Sequence, residues 1–151
     1  MEGVKIVATN RKATHDYTIE DRLEAGVILQ GTEVKSIRAG QVNLREGYVQ
    51  IRDGEAFLLN THISPYDPSG GAGHDPLRTR KLLLNRKEIT KLNGALQERG
   101  WTIIPLRMYF KNGRVKLEIG LARGKRKYDK RQTIAKRDAQ RQIERTMKDR
   151  G

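Results

Sequence analysis

The sequence predicts a mainly β fold: a small antiparallel barrel of six strands with two or three helices, followed by a basic C-terminal tail. The first observation is a pair of turn signals, Asp53-Gly54 and Asn112-Gly113, which supply the positive φ angles that a two-residue hairpin needs. The second is the alternation of apolar and polar residues beside these turns. The third is a rise in positive charge after residue 122.

The strand predictions follow from the alternating pattern. In the predicted strand 114–121, Val115, Leu117 and Ile119 alternate with polar residues, so one face is expected to be buried and the other exposed to solvent. Six short antiparallel strands are too few for two well-filled sheets, which favours a closed barrel of the OB type, a fold that often binds oligonucleotides. The predicted strands are 17–19, 25–29, 48–52, 55–59, 102–110 and 114–121.

Two helices interrupt these strands. The first is predicted over 31–40 with Thr32 as its N-cap, and its Lys35 and Arg38 lie three residues apart on one side, where they can face an anion. The second is predicted over 85–98, because apolar residues recur there at helical spacing and a glycine follows.

Composition points to a polyanionic partner. The chain has 151 residues, and its 31 Lys and Arg against 18 Asp and Glu give a formal net charge of +13. No apolar run is long enough to span a bilayer and no signal-peptide pattern is present, so we expect a cytoplasmic protein with no membrane partner. The absence of cysteine excludes disulfides and cysteine-ligated zinc. Nucleic acid is therefore the favoured partner.

Charge divides the chain into a barrel domain, 1–122, and a basic tail, 123–151. The tail carries 12 Lys and Arg against 4 Asp and Glu. Its few apolar residues bury too little surface to offset the entropy of ordering, so we expect the tail to be disordered when free. Within the domain, Pro65–Pro76 is rich in proline and glycine and is predicted to be a loop.

When the tail is drawn as a helix, its basic and apolar side chains fall on opposite sides. At about 100° per residue, a basic ridge falls within an arc of about 80°, opposite a thin apolar edge. Two interpretations stay open: a solvated basic tail without a fixed shape, and a helix that forms on binding RNA. The ridge consists of Lys130, Arg137, Arg141, Arg145 and Lys148.

The sequence does not predict a catalytic centre. His15, His62 and His74 lack the spacing of metal ligands, and each is predicted to lie on the surface or in a loop. The stretch 120–126 lacks both the glycine spacing and the Ser or Thr of a phosphate-binding loop. Scattered carboxylates offer no acid–base pair. We therefore expect no enzymatic activity, no cofactor and no metal.

Several longer motifs follow one another along the chain. They are Asn10-Arg11-Lys12-Ala13, His15-Asp16-Tyr17, Glu24-Ala25-Gly26, Gly31-Thr32-Glu33-Val34-Lys35-Ser36-Ile37-Arg38-Ala39-Gly40, Asp53-Gly54-Glu55, Asp75-Pro76, Arg80-Lys81-Leu82-Leu83-Leu84-Asn85 and Gly124-Lys125-Arg126-Lys127-Tyr128-Asp129-Lys130-Arg131. With these motifs the chain closely resembles, over nearly its whole length, the SsrA-binding protein family, also called small protein B.

The resemblance implies a function in ribosome rescue. Members of this family have an OB-like barrel with added helices and are not enzymes. They bind the tRNA-like domain of transfer-messenger RNA (tmRNA), chiefly its D-loop region, and deliver it to stalled ribosomes for trans-translation. Their tail is thought to become helical in the empty messenger channel near the decoding centre. The resemblance therefore implies a cytoplasmic protein, which we expect to be a monomer.

The resemblance, together with side-chain chemistry, also suggests which residues bind the RNA. Glu24 could instead form a salt bridge at a strand edge, and Tyr17 and Leu83 could pack in the core. Lys35 and Arg38 could be plain solvated charges. The predicted RNA-binding residues are Asn10, Lys12, His15, Tyr17, Glu24, Lys35, Arg38, Lys81, Leu83 and Asn85.

For the tail, the resemblance implies contacts with ribosomal RNA. Asp129 is expected to cap the induced helix, and Met147 to be needed when the ribosome accepts the complex. A structural ribosomal protein, or another translation-associated RNA-binding protein, stays open as the alternative, because a basic tail suits it equally. The predicted ribosome-binding residues are Lys125, Arg126, Lys127, Asp129, Lys130, Arg131, Arg137, Arg141, Arg145 and Met147.

Overall fold

The computed structural model describes residues 3–65 and 74–124, so the tail from residue 125 onward and most of the predicted 65–76 loop lie outside it. In chain order the elements are β1 (Val4–Thr9), α1 (Arg11–Asp16), β2 (Tyr17–Val27), α2 (Gly31–Arg38), β3 (Val42–Asn43), β4 (Tyr48–Arg52), β5 (Glu55–Leu59), β6 (His62–Ile63), β7 (Arg80–Leu83), α3 (Arg86–Leu96), β8 (Trp101–Lys111) and β9 (Arg114–Gly124).

Seven strands of the described chain join in one antiparallel sheet with the order β1-β8-β9-β2-β7-β5-β4, while β3 and β6 form a separate ribbon. The sheet curls so that β4 packs against β8. Among the described residues, β1 and β4 are not hydrogen-bonded to each other and form the two edges. The mainly β, antiparallel fold is confirmed, and the predicted closed barrel of six strands is corrected to an open, curled sheet of seven.

Both predicted hairpins form for the expected backbone reason. Asp53 and Gly54 have φ angles of 51° and 75° and join β4 to β5. Asn112 and Gly113 have φ angles of 52° and 77° and join β8 to β9. Because Asp, Asn and Gly tolerate this left-handed region, each turn is a local property of its sequence.

A single strand, β2, replaces the two strands predicted over 17–19 and 25–29. It pairs along β9, from Tyr17 opposite Gly124 to Gly26 opposite Lys116. The charged residues between the two predicted strands mostly occupy exposed positions that alternate with half-buried ones, so they do not interrupt the strand. Strand β9 accordingly runs through Gly124, past the predicted domain boundary at residue 122.

The sequence did not predict β1 or α1. Helix α1 has six residues, of which only Ala13 is buried, so it offers no apolar stripe to recognise. Asn10 caps this helix, because its Oδ1 accepts a hydrogen bond from the Ala13 N–H at 3.2 Å.

Helices α2 and α3 lie where the sequence predicted them. Helix α2 begins after Gln30 rather than at Thr32, and the Glu33 carboxylate accepts a hydrogen bond from the Gln30 N–H at 2.8 Å. Helix α3 begins after Asn85, whose Oδ1 accepts from the Glu88 N–H at 2.9 Å. No helix within residues 3–65 and 74–124 combines the length and apolar character needed to cross a membrane.

The main core lies between the inner face of the sheet and helices α2 and α3. Ile37 of α2 and Leu92 of α3 are fully buried in it. Ala13 of α1 packs with Ile104 and Ala122 in a second, smaller cluster, which fixes α1 against β8 and β9. The other fully buried members of the main core are Ala25, Ala56, Leu58, Ile63, Leu82, Ile103, Met108, Leu117 and Ile119.

A buried ion pair ties α2 to β7. Glu33 and Arg80 are both fully buried, and Arg80 Nε lies 2.6 Å from Glu33 Oε2. Arg78 donates to the other carboxylate oxygen at 2.6 Å, and Arg80 also donates to the Thr61 carbonyl at 2.7 Å. Burial raises the pKa of Glu33, but the hydrogen bonds from Arg78, the Gln30 N–H and Arg80 outweigh burial, so the pKa lies below its ordinary value.

His74 lies in an irregular segment, in line with the prediction of a surface or loop position, but its side chain is buried. Its Nδ1 lies 2.9 Å from the Thr32 hydroxyl and its Nε2 lies 2.8 Å from the Ile63 carbonyl oxygen. These partners are distant in sequence, so residue spacing could not reveal them. His15 and His62 are exposed, as predicted.

Candidate RNA-binding surface

Side chains that point away from the core on six neighbouring strands form a surface that we call the outer sheet face. Because successive side chains alternate across a strand and register partners point to the same side, this face can be traced from strand to strand. Its cations outnumber its carboxylates by seven to three. The outer sheet face includes Arg22, Glu24, Gly26, Tyr48, Gln50, Arg52, Glu55, Phe57, Lys81, Leu83, Arg107, Tyr109, Lys111, Arg114, Lys116 and Glu118.

Glu24 is held on this face as an ionised carboxylate. Its Oε2 accepts a hydrogen bond from the Tyr109 hydroxyl at 2.5 Å, and the Lys111 ammonium lies 3.4 Å from both carboxylate oxygens. The Tyr109 hydrogen bond is the main reason that the pKa of Glu24 lies below its ordinary value, with burial opposing it and Lys111 adding to it. Burial, and then the bond to Glu24, raise the pKa of Tyr109, which keeps its proton. Glu24 thus forms the salt bridge left open above, yet 38% of its side chain stays exposed.

A second carboxylate, Glu118, lies opposite Glu24 across the β2–β9 ladder. It accepts a hydrogen bond from Arg22 at 3.1 Å and hydrogen bonds from Arg107 at 3.1–3.3 Å. Sequence reasoning missed Arg107, Arg22 and Tyr109 as members of the surface. Alternation along β2 and β8 could have placed them on the outward side of their strands, but only strand register shows that they meet Glu24 and Glu118.

Leu83 and Lys81 project from β7 onto the same face. Leu83 is 53% exposed, which corrects the alternative that it packs in the core. Its neighbour across the ladder is Gly26, where an added Cβ would lie 3.2 Å from Leu83 Cβ, so a glycine makes room for this leucine. Lys81 Nζ lies 3.4 Å from Glu55 in an exposed ion pair. An exposed apolar side chain beside a lysine can contact a base or sugar while the lysine meets phosphate.

Asn10, in the first motif, serves the fold directly. Its side chain is buried, and its Nδ2 donates hydrogen bonds to the carbonyl oxygens of Pro105 at 2.9 Å and Leu44 at 3.3 Å. With its Oδ1 capping α1, both ends of the amide are engaged. The structure therefore supports a positioning role for Asn10, and direct contact with RNA stays a prediction.

The other predicted residues of the first two motifs lie in or next to α1. Lys12 Nζ lies 3.2 Å from Glu46, and 39% of the lysine side chain is exposed. His15 is 76% exposed, with Nδ1 2.8 Å from the Asp16 carboxylate. Tyr17 is half-buried against the smaller apolar cluster, so part of its ring packs in a core.

Lys35 and Arg38 lie on α2, away from the outer sheet face. Both are exposed, and the Arg38 guanidinium lies 4.9 Å from the centre of the Phe110 ring, which packs against the main core. Asn85 is exposed and caps α3. The structure thus divides the predicted residues among three places: the outer sheet face, the surroundings of α1, and the two longer helices.

The ten predicted tail residues lie outside the described residues. The last described residue, Gly124, pairs with Tyr17, so the chain approaches the tail beside α1. These ten are Lys125, Arg126, Lys127, Asp129, Lys130, Arg131, Arg137, Arg141, Arg145 and Met147.

Within residues 3–65 and 74–124, no three His, Asp or Glu side chains gather in a way that could hold a metal ion. The outer sheet face offers cationic groups for phosphates, an ionised carboxylate that can accept hydrogen bonds from base N–H groups, and an exposed leucine.

Comparison with known proteins places the chain in a family. The family model described as SmpB protein matches residues 7–149. The chain belongs to the SmpB family. It is 57% identical to the SsrA-binding protein of Desulfitobacterium hafniense strain DCB-2 over 150 residues, which cover 99% of this chain and 96% of that protein. It is 56% identical to the SsrA-binding protein of Bacillus pumilus strain SAFR-032 over 146 residues, which cover 97% and 94%.

The fold of this SmpB-family chain also matches a solved relative. A structure described as "tmRNA-SmpB: a journey to the center of the bacterial ribosome" contains a chain that is 45% identical, with a TM-score of 0.68. The match covers 82% of this chain and 85% of the other. The family resemblance inferred from the motifs is therefore confirmed.

Proposed function

We propose that this SmpB-family chain binds tmRNA and delivers it to stalled ribosomes for trans-translation. Family membership carries the proposal, because the SmpB match spans residues 7–149 and so includes both the sheet and the basic tail. Its relatives are named SsrA-binding proteins, and its solved relative is described with tmRNA-SmpB and the bacterial ribosome.

The outer sheet face is the surface that binds the tRNA-like domain, chiefly in the D-loop region. Lys81 contacts phosphate and Leu83 packs against a base or sugar. Glu24 accepts hydrogen bonds from base N–H groups, a role that needs the ionised carboxylate that Tyr109 and Lys111 maintain.

The remaining predicted residues extend this interface or hold it in shape. Lys12 and His15 add exposed hydrogen-bonding groups beside α1, and Lys35 and Arg38 act as phosphate contacts on α2. Asn10 and Asn85 act largely through the helices that they cap, and the exposed part of the half-buried Tyr17 ring contacts a base.

The tail acts on the ribosome. The basic residues of 125–151 contact ribosomal RNA in the empty messenger channel near the decoding centre, where the tail becomes helical. Asp129 caps that helix, and Met147 is needed for acceptance of the complex. The protein acts as a monomer in the cytoplasm, where ribosomes are found, and it catalyses no reaction.

Removing the tail tests this division of labour. The cut belongs after Gly124, because Arg123 and Gly124 still pair with Thr18 and Tyr17 in the sheet. We expect the truncated chain 1–124 to retain most of its affinity for the tRNA-like domain and to lose tagging of peptides on stalled ribosomes. Loss of most of the RNA affinity would contradict the proposal. An unrelated structured RNA of equal length serves as the control for plain charge attraction.

A further inference from the structure

A cleft of about 250 Å³ opens beside α1, and we call it the α1 cleft. It is slightly smaller than pockets for drug-sized ligands, which hold about 300–1,000 Å³, so it suits one ring system. Its polar and aromatic lining includes Lys12, Tyr17, Arg45, Glu46, Tyr48 and Thr102.

We propose that the α1 cleft binds a single unpaired RNA base, which stacks on Tyr48 and Tyr17 while its phosphate meets Arg45 and Lys12. The inference rests on the proposed function in taking RNA as the partner. It adds a contact site beside α1 and assigns a role to Arg45 and Tyr48, neither of which is among the predicted RNA-binding residues.

The cleft is preorganised by contacts within the protein. Asn10 joins three of its parts, because the amide caps α1 and donates to the carbonyls of Leu44 and Pro105. Gly47 lies so close to its neighbours that an added Cβ would be 2.3 Å from Thr61 Oγ1 and 2.9 Å from Pro105 Cγ. The turn that carries Arg45 and the start of β4 at Tyr48 therefore pack tightly against β8, and little ordering entropy is lost when a ligand enters.

The side chains at the opening match the chemistry of a nucleotide. Tyr48 is 42% exposed, which leaves much of a large aromatic side chain in water. The Glu46 carboxylate lies 3.2 Å from Lys12 and 3.9 Å from Arg45, so it forms an ion pair with each cation. A phosphate can replace the carboxylate in both ion pairs. Proteins that bind single-stranded RNA stack bases on aromatic rings and place cations along the backbone.

An apolar protein segment is the less favoured occupant. Three charged side chains, Lys12, Arg45 and Glu46, line so small a cleft, and burying them under an apolar segment would cost desolvation energy without compensating hydrogen bonds. The cleft also adjoins the start of the tail, because Tyr17 pairs with Gly124. A base bound there would lie where the folded body meets the cationic tail.

The test uses the full chain and a short oligouridine with 2-aminopurine at its centre, whose fluorescence falls when the base stacks. Base–aromatic stacking corresponds to about a 5- to 150-fold loss of affinity per base removed, so we expect Tyr48→Ala to weaken binding by a factor in that range. Tyr48→Phe keeps the ring and should bind like the wild type. Leu77→Ala removes another exposed apolar side chain, outside the cleft, and serves as the matched control.

Two further measurements keep the test decisive. An abasic residue in place of the central base should weaken binding to the wild type but cause no further loss with Tyr48→Ala. Glu46→Gln should strengthen binding by up to about fivefold, because it frees both cations from an exposed ion pair. Equal binding of the abasic and base-containing probes by the wild type would overturn the proposal, as would weaker binding by Glu46→Gln.

The same variants tested with the tRNA-like domain separate the two proposals. If the tRNA-like domain binds while the oligouridine shows no dependence on its central base, the cleft proposal fails and the proposed function stands. If the protein binds neither RNA, both fail.

Discussion

The buried carboxylate of Glu33 gives the sharpest prediction about stability. It is fully buried, and it neutralises Arg80, which is fully buried as well, through a 2.6 Å contact. Glu33→Gln keeps the shape of the side chain but leaves the Arg80 guanidinium as an uncompensated charge in the interior. Breaking a buried pair from one side costs about 3–5 kcal/mol. Domains are stable by only about 5–15 kcal/mol, so the variant should lose a large share of its free energy of unfolding.

Urea unfolding measures this loss. Trp101 is the single tryptophan and lies in β8, with the Arg123 guanidinium 4.6 Å from its ring, so its fluorescence reports on the sheet. With a slope of about 2 kcal/mol per molar urea, the midpoint should fall by about 2 M. Glu46→Gln is the matched control, because that glutamate is 63% exposed and its ion pairs contribute about 0–1 kcal/mol.

The pH dependence of stability has a definite sign. The pKa of Glu33 lies below its ordinary value in the folded protein, so its stabilising contribution is fully present above about pH 4.3, the ordinary carboxyl pKa. That contribution is lost as the pH falls through the folded-state pKa. The reasoning would be refuted if Glu33→Gln cost less than about 1 kcal/mol at neutral pH, or if its deficit grew on acidification.

Three further predictions concern RNA. Glu24→Gln should weaken binding to the tRNA-like domain, as measured by fluorescence anisotropy. The free energy of unfolding should change by less than about 1 kcal/mol, because the carboxylate is partly exposed. A stability loss large enough to explain the weaker binding would assign Glu24 to structure. Leu83→Ala should also weaken binding with a stability change within about 0.5 kcal/mol, and unchanged affinity would remove Leu83 from the interface. Lys81→Gln should lower the slope of log affinity against log salt concentration by about 0.7–0.9, whereas an unchanged slope would mean that Lys81 meets no phosphate.

Local chemistry explains what the sequence predicted well. The hairpins at 53–54 and 112–113 depend on residues that tolerate positive φ, and α3 depends on its own cap and apolar spacing. The sequence predicted two strands, 17–19 and 25–29, where β2 runs without a break along β9. The missing information was the partner strand, which no local pattern supplies.

Contacts between distant residues account for most of the remaining differences. Neither the Glu33–Arg80 pair nor the burial of His74 follows from residue spacing, because their partners come from other elements. Of the predicted RNA-binding residues, Glu24, Lys81 and Leu83 lie together on the outer sheet face, and their contact with RNA stays a prediction. The sequence could not show that Asn10 is buried by its bonds to Leu44 and Pro105.

Competition between RNAs tests the central claim most directly. Labelled tRNA-like domain bound to the full-length protein is challenged with the unlabelled tRNA-like domain, or with an RNA of the same length and composition in scrambled order. Recognition by a shaped surface predicts that the unlabelled domain displaces the label at far lower concentration than the scrambled RNA does. Equal displacement by both would mean that the net charge of +13 attracts any polyanion and that the outer sheet face selects nothing.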